Sequence, residues 1–289
     1  MRPTRTAPPR REPGARRGAA PRGREHGAVL RALIEYDGTR YRGWQSQVNA
    51  RTVQGVLFEA VREVLGEGTR IHGAGRTDAG VHAFGQVASL HLARPLALSL
   101  GAARRALNDR LPFDVNVLDL QEAPRGFHAR HDALLRIYRY RIARRRTAFG
   151  KPFVYWVKDR LDVAAMERAA QRFVGRRDFA SFCDNPEGHD STLVEVSYAR
   201  VFAAEAAPDL ILFRIAASHY LWKMVRRLAG TLVEVGTGRL DEEGLERLFA
   251  ERSPRIAEWT APAAGLFLEA VVYPGDGEPP EVDPLRPAF

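Results

Sequence analysis

The sequence predicts an α+β protein made of two similar α/β subdomains whose antiparallel sheets meet around a central basic cleft. Segments with apolar residues at alternate positions, typical of half-buried strands, are interleaved with segments that repeat apolar residues every three or four positions, typical of amphipathic helices. Of the 289 residues, 45% are hydrophobic, which is enough for a sizeable core and two subdomains. The net charge of +9 favours an anionic partner.

The first half, residues 28–145, contains six predicted elements. The opening strand has apolar residues at every second position from 30 to 36 and ends at an Asp37-Gly38 turn. A helix follows, with Thr52 as its N-cap and Gly66 as its stop. The other predicted elements of this half are a strand at 86–93, a helix at 99–112, and strands at 115–123 and 134–145.

The second half, residues 146–275, has a similar mixture but no direct repeat of the first in sequence. A helix is predicted to begin after Asp162 and to end at Gly175, and two strands are predicted to pair through a Pro208-Asp209 turn. These two strands lie at 194–204 and 209–217, and they are followed by helices at 219–236 and 241–252 and a closing strand at 266–274. The apolar stripe of the long helix consists of Leu221, Val225, Leu228, Leu232 and Val235.

The two ends of the chain are predicted to lie outside this ordered body. Residues 1–27 consist almost entirely of Pro, Gly, Arg and Ala, which predicts a disordered tail, and we expect a flexible tail at 276–289. Eight arginines and two glutamates give residues 1–26 a charge of +6, which leaves +3 of the total +9 for the remainder. Arginine suits phosphate contacts, although a GC-rich genome would also explain its preference over lysine.

The single cysteine, Cys183, excludes an intrachain disulfide and a zinc site made of several cysteines. No run of 18 apolar residues occurs, and the basic N-terminus lacks the apolar core of a secretory signal. An organellar transit peptide is disfavoured because the tail has no amphipathic apolar face. We therefore expect a cytoplasmic protein without a membrane span.

The glycine-rich segment GAGRTDAG, residues 73–80, raises the question of function. It matches neither the phosphate-binding Walker loop nor the dinucleotide pattern GxGxxG. From these residues alone, the favoured interpretation is a turn in which Asp78 caps backbone amides. A metal site formed by His72, Asp78 and His82 is an alternative, but the two histidines lack the tight helical spacing of metal ligands.

A longer stretch around this loop, GRTDAGVHA at 75–83, resembles the signature of the A-type tRNA pseudouridine synthases. Five further blocks follow one another in the order of that family, at 41–55, 127–142, 177–182, 219–232 and 261–274. The chain departs from the family pattern in ALLRIYRY, where apolar residues replace small or polar ones, and in APAAGLFL, which lacks the common His. The resemblance covers residues 29–274 and implies the pseudouridine synthase fold.

The resemblance implies an isomerase with Asp78 as its nucleophile. Pseudouridine formation breaks the bond between ribose C1′ and uracil N1 and rejoins the base through C5, which requires no cofactor. A carboxylate can carry the covalent intermediate and split one difficult step into easier ones. The sequence leaves open whether Asp78 adds to ribose C1′ or to uracil C6.

Two arginines are implied beside Asp78. The family pairs an arginine with this aspartate, and Arg226 matches it, since a partly desolvated carboxylate needs a nearby positive charge. Without the resemblance, Arg226 would be interpreted as part of a solvated basic helix face with Lys223 and Arg227. Arg76 matches the residue that supports extrusion of the target nucleotide from a stem, with a phosphate contact or a surface salt bridge as the alternative.

Tyr138 matches the active-site tyrosine that stacks on the uracil. Strand alternation places Tyr138 and Tyr140 on the same face, so the pattern alone does not distinguish them. Asp37, Trp44 and Gln54 are predicted to be structural.

The resemblance implies tRNA as the partner, modified at uridines 38, 39 and 40 in the anticodon arm, and a homodimeric enzyme. Two other functions stay open from the sequence. The first is a non-catalytic RNA-binding protein of the same fold, which would not require the Arg-Thr-Asp triplet beside Tyr138. The second is a metal-dependent hydrolase, which would lose its activity on chelation.

Overall fold

The computed structural model describes residues 27–277, so residues 1–26 of the predicted tail at 1–27 and most of the predicted tail at 276–289 lie outside the described residues. Within this range the strands are β1 Val29–Tyr36, β2 Arg70–Gly73, β3 His82–His91, β4 Val115–Ala123, β5 Leu135–Ala143, β6 Tyr155–Trp156, β7 Gly175–Asp178, β8 Leu193–Ala204, β9 Ala207–Ala217 and β10 Leu266–Val272. The helices are α1 Val53–Leu65, α2 Leu100–Asn108, α3 Val163–Gln171, α4 Met224–Gly236, α5 Glu242–Ala250 and α6 Arg255–Glu258. Short 3-10 turns lie at Gly38–Arg40, Lys151–Phe153, Ala180–Phe182, Pro186–Gly188 and Ala263–Gly265.

The strands form one sheet in the order β4-β1-β3-β10-β5-β9-β8-β7, with β2 paired to β3 and β6 paired to β5. Most neighbours are antiparallel, which confirms the predicted α+β class. β10 lies between β3 and β5, parallel to the first and antiparallel to the second. β10 thus connects the group β4-β1-β3 to the group β5-β9-β8-β7 within one sheet. The division of the chain at residue 145 stays a prediction.

The helix starts follow from local capping, as the sequence predicts. The Thr52 hydroxyl accepts a hydrogen bond from the Gly55 amide at the start of α1, and Gly66 ends this helix with a φ of 97°. Asp162 caps α3 through the Ala165 amide in the same way. These caps satisfy backbone donors that have no partner within the first helical turn.

Two local predictions are wrong. The β8–β9 hairpin turns at residues 205–206, and Pro208 and Asp209 belong to β9. Proline is tolerated at position 208 because the pairing of β8 and β9 is irregular between the Ala204–Ala207 and Ala203–Ile211 pairs. The missing N–H of Pro208 therefore removes no regular hydrogen bond between the two strands. The long helix begins at Met224 rather than at residue 219, because Lys223 adopts the left-handed conformation with a φ of 61°.

The predicted apolar stripe of the long helix is buried at all five positions. Leu221 precedes α4, and the other four residues lie on α4 itself. Because this stripe packs into the core, Arg226 in the first turn of α4 points away from the core and is only partly buried. Among residues 27–277, none of the helices has both the length and the apolar character that a membrane crossing requires.

Candidate active site

Thr77 anchors the loop between β2 and β3 to the protein core. Its side chain is buried, and its hydroxyl lies 2.8 Å from the hydroxyl of Tyr36 on β1. Its carbonyl accepts a hydrogen bond of 3.0 Å from the Trp44 amide. Gly43 makes this approach possible, because it has a φ of 95° and a Cβ there would lie 2.6 Å from the Thr77 carbonyl oxygen.

The flanking residues Arg76 and Asp78 both line a cleft on the other side of this loop. The exposed Arg76, the buried Thr77 and the partly exposed Asp78 follow the alternation expected of an extended segment. Within residues 27–277 the Arg76 side chain has no hydrogen-bond or ion-pair partner. Its guanidinium is therefore available to a ligand in the cleft.

Arg226 reaches Asp78 from the first turn of α4. Its Nη1 lies 3.2 Å from Asp78 Oδ2, and its Nε donates a hydrogen bond of 2.8 Å to the carbonyl of Ala261. The side chains of Arg226 and Asp78 are 17% and 23% exposed. This shielding strengthens their interaction relative to an ion pair on an open surface, and the second hydrogen bond fixes the orientation of the guanidinium.

Tyr138 on β5 lines the same cleft, whereas Tyr140 does not. The Tyr138 ring meets Tyr220 edge to face, with ring centroids 4.9 Å apart. Burial raises the pKa of the Tyr138 hydroxyl above its usual range, and the nearby Tyr36 and Asp78 act in the same direction. Tyr140 is fully buried and donates a hydrogen bond to the Pro262 carbonyl, so the structure separates two tyrosines that the strand pattern could not.

The cleft has a volume of about 1160 Å³ and brings together the four residues that the sequence predicts for the site. Among the described residues that line it, Asp78 is the one carboxylate. Six lining residues carry positive charge, namely Arg42, Arg76, Arg130, Arg136, Lys223 and Arg226. A cleft of this composition attracts a polyanion and presents a single negative group to it.

Comparison with known proteins decides the family. The sequence profile of the family described as tRNA pseudouridine synthase matches residues 32–132 and 169–274. The chain belongs to this family. Its relatives include tRNA pseudouridine synthase A of Roseiflexus castenholzii, 45% identical over 248 residues, covering 84% of this chain and 90% of the relative. Those of Oleidesulfovibrio alaskensis and Geobacillus kaustophilus are 40% and 39% identical, covering 88% and 84% of this chain and 99% and 94% of the relatives.

Among solved structures, this synthase-family chain is similar to one titled the crystal structure of the archaeal box H/ACA sRNP Nop10-Cbf5 complex. The TM-score is 0.30 and the identity 11%, over 71% of this chain and 44% of that chain. This similarity is too low to carry a conclusion.

Arg136 supports the site and was not predicted from the sequence. It is buried, and its guanidinium donates to the carbonyls of Ala74, Arg130, Ala133 and Ser218. It thereby ties the Asp78 loop to the segment before β5 and to the end of β9. The available signal was the strand alternation, which places Arg136 on the same face of β5 as Tyr138 and Tyr140.

The alternative metal site does not form. His82 is buried, where its Nδ1 accepts from the Gly38 amide and its Nε2 donates to the Pro152 carbonyl. His72 instead packs against His91 and His128. Within residues 27–277 no three His, Cys, Asp or Glu side chains are arranged to hold a metal ion.

The residues predicted to be structural have local partners. Asp37 accepts from the Thr39 amide, Trp44 is buried against Gly73, and Gln54 donates to the Ile71 carbonyl. The helix-face alternative for Arg226 does not hold either. Lys223 and Arg227 both pair with Asp184, whereas Arg226 pairs with Asp78.

Proposed function

We propose that this protein converts uridine to pseudouridine at positions 38, 39 and 40 in the anticodon arm of tRNA, with Asp78 as the nucleophile. The observation that carries the proposal is that Asp78 is the one carboxylate among the described residues of a basic cleft, with Arg226 Nη1 3.2 Å away. Membership of the tRNA pseudouridine synthase family supplies the reaction class.

The proposed reaction is an isomerisation in which atoms and charges balance. The bond between ribose C1′ and uracil N1 breaks, the base turns over, and a bond from C1′ to C5 forms. The C5 proton is lost and N1 gains a proton. Asp78 forms a transient covalent bond with the substrate and is released unchanged at the end.

The other cleft residues have distinct roles in this proposal. Arg226 fixes the Asp78 carboxylate through the charge-assisted hydrogen bond described above. The ring of Tyr138 supports the extruded uracil by stacking. Arg76 is exposed and unpaired among the described residues, which suits a guanidinium that enters the space vacated by the flipped nucleotide.

The reaction is tested by incubating the purified protein with unmodified tRNA transcripts, with and without a chelator, and by mapping pseudouridine through carbodiimide-dependent reverse-transcription stops. We expect stops at positions 38 to 40 that do not depend on metal. Asp78→Asn keeps the shape of the side chain and removes the nucleophile, so we expect no pseudouridine with less than about a tenfold loss of tRNA affinity, or roughly 1.4 kcal/mol. Turnover by Asp78→Asn within tenfold of the wild type would contradict the mechanism.

A non-catalytic RNA-binding protein of the same fold is the competing proposal, and it predicts tRNA binding by the wild type without any stops. We further propose, from the family resemblance, that the enzyme acts as a homodimer in the cytoplasm. Light scattering on the purified protein tests the first point, and cell fractionation tests the second.

A further inference from the structure

One aromatic side chain in the cleft has no role in the mechanism above. Trp222 is 50% exposed, and it is the one exposed large apolar side chain among the described residues that line the cleft. Leu221 and Met224 beside it are buried. Water contact with so much indole surface is unfavourable, so the direction of this ring into the cleft needs a physical cause in the backbone.

The backbone at Lys223 supplies that cause. Its φ of 61° lies in the left-handed region, which is unfavourable for a residue with a side chain and persists only where the surroundings impose it. The turn separates Trp222 from the start of α4, so the chain buries Leu221 and Met224 while Trp222 faces the cleft.

Asp184 holds this turn in place through three contacts. Its amide donates to the Trp222 carbonyl at 2.9 Å, and its carboxylate oxygens lie 2.5 Å from Lys223 Nζ and 3.3 Å from Arg227 Nη2. The hydrogen bond from Lys223 holds the pKa of Asp184 below its usual range, so the Asp184 carboxylate is ionised at neutral pH. The outward position of Trp222 is therefore built into the fold.

The ammonium group of Lys223 lies next to the Trp222 ring. Lys223 Nζ lies 5.0 Å from the ring centroid, in the range of a cation–π contact. An exposed aromatic face in a basic cleft suits a nucleotide, because the base stacks on the ring and the arginines that line the cleft attract the phosphate. Arg226, which contacts Asp78, follows Trp222 by only four residues, so this surface adjoins the proposed catalytic centre.

We propose that Trp222 forms a second base-binding subsite, on which an unstacked nucleobase next to the target uridine stacks. This inference rests on the proposed function, because it assumes that RNA occupies the cleft. Extruding one nucleotide from a stem leaves its neighbours without a stacking partner. Trp222 replaces that lost partner on one side of the extruded uridine.

The test compares three variants with the wild type on a tRNA transcript. Trp222→Ala removes the stacking surface, Trp222→Phe retains a ring, and Trp156→Ala is the matched control because Trp156 is also exposed, lies near Arg146 and does not line the cleft. We expect Trp222→Ala to raise the KM for tRNA between about 5- and 150-fold, the range that base–aromatic stacking corresponds to. Trp222→Phe should have a smaller effect, and Trp156→Ala should stay within about twofold of the wild type.

A second substrate identifies the stacked base. Transcripts with an abasic nucleotide on the 5′ or the 3′ side of the target uridine remove the base and keep the phosphate. On one side, the abasic substitution should raise the KM of the wild type and of Trp222→Phe but cause no further rise in Trp222→Ala. The proposal is overturned if the KM of Trp222→Ala is within about twofold of the wild type. It is also overturned if the abasic substitution raises the KM of the wild type and of Trp222→Ala by the same factor.

Binding without turnover separates this inference from the proposed function. The tRNA affinity of Asp78→Asn is compared with that of the Asp78→Asn, Trp222→Ala double variant. A loss of affinity in the double variant supports the subsite even if the wild type forms no pseudouridine, which would contradict the proposed function alone. Equal affinities beside an active wild type would overturn the subsite alone.

Discussion

The hydroxyl groups of Tyr36 and Thr77 lie 2.8 Å apart beneath the two residues that face the cleft. Burial raises the pKa of the Tyr36 hydroxyl above its usual range, so this contact is a hydrogen bond between two neutral groups. Thr77 lies between Arg76 and Asp78 in the chain, and its position determines the direction of both neighbours. The contact therefore anchors the loop that carries Arg76 and Asp78 to strand β1 in the core.

We expect Thr77→Val to lower the free energy of unfolding by about 1–3 kcal/mol, because it leaves the buried Tyr36 hydroxyl without this partner. Turnover should also fall, since the loop loses its anchor between the two cleft residues. Thermal unfolding and initial rates check both effects. The double variant Tyr36→Phe, Thr77→Val removes both hydroxyls, so it should lose less stability than the sum of the losses in the two single variants. A loss in the double variant equal to that sum would contradict the coupling.

Arg226→Ala should lower kcat by about 100- to 1000-fold, the usual effect of removing one fixed donor from a charged catalytic group. Arg226→Lys should fall between the wild type and Arg226→Ala. An ammonium group retains the charge but does not hold the Ala261 carbonyl and Asp78 in the planar geometry of the guanidinium. Single-turnover rates at saturating tRNA measure the effect. Wild-type rates in Arg226→Ala would show that the Asp78 contact has no part in the reaction.

Tyr138→Phe retains the ring and should keep more activity than Tyr138→Ala, whose loss of stacking corresponds to about 1–3 kcal/mol. The pH dependence gives a second readout. Because the folded protein raises the pKa of Tyr138, its hydroxyl stays protonated through pH 10, where a free tyrosine is half ionised. The rates of the wild type and Tyr138→Phe should therefore have the same pH profile between pH 7 and about 10. A rise of the wild-type rate with pH that Tyr138→Phe lacks would indicate a catalytic phenolate instead.

Arg76→Ala should slow modification of a uridine in a paired stem more than that of a uridine in an open loop. The reason is that only the paired substrate loses base pairing and stacking on extrusion, at a cost of a few kcal/mol. Initial rates on two transcripts that differ only in the pairing of the target uridine measure this difference. The same loss on both transcripts would assign Arg76 to phosphate binding.

Deletion of residues 2–26 should weaken tRNA binding at low salt without changing the modified positions. Eight arginines in this segment are able to contact phosphates without reading the sequence. Each lost contact should reduce the slope of log K against log salt by roughly 0.7–0.9. An unchanged slope would indicate that the arginines make no such contacts, and a changed set of modified uridines would contradict both interpretations.

The family resemblance predicts all four site residues, and for the two that lie in one contiguous motif the local chain geometry makes the same prediction. Arg76 and Asp78 are separated by one residue, and the extended segment directs both to the cleft. Strand alternation could not choose between Tyr138 and Tyr140, because the choice depends on which end of β5 the cleft covers. The supporting role of Arg136 was not predictable for a similar reason, since its four carbonyl partners come from separate segments.

The elements of the fold were predictable where capping and periodicity act locally, as at Thr52 and Asp162. The position of β10 was not predictable, because periodicity identifies a strand but does not identify its neighbours. The left-handed turn at Lys223 was also missed. The periodicity of 219–236 continues through it, and the contacts of Asp184 that impose it are 39 residues away in the chain.

The position of β10 between β3 and β5 has a consequence for protein synthesis. Residues 266–272 are made after every other described strand, yet they are the common neighbour of the strands beside Asp78 and Tyr138. Nascent chains that have not reached this segment lack the bridge between the two cleft walls, even where the earlier strands have already paired. A premature stop or frameshift anywhere upstream of residue 266 should therefore abolish modification altogether, and no nascent chain should alter tRNA until β10 has emerged from the ribosome.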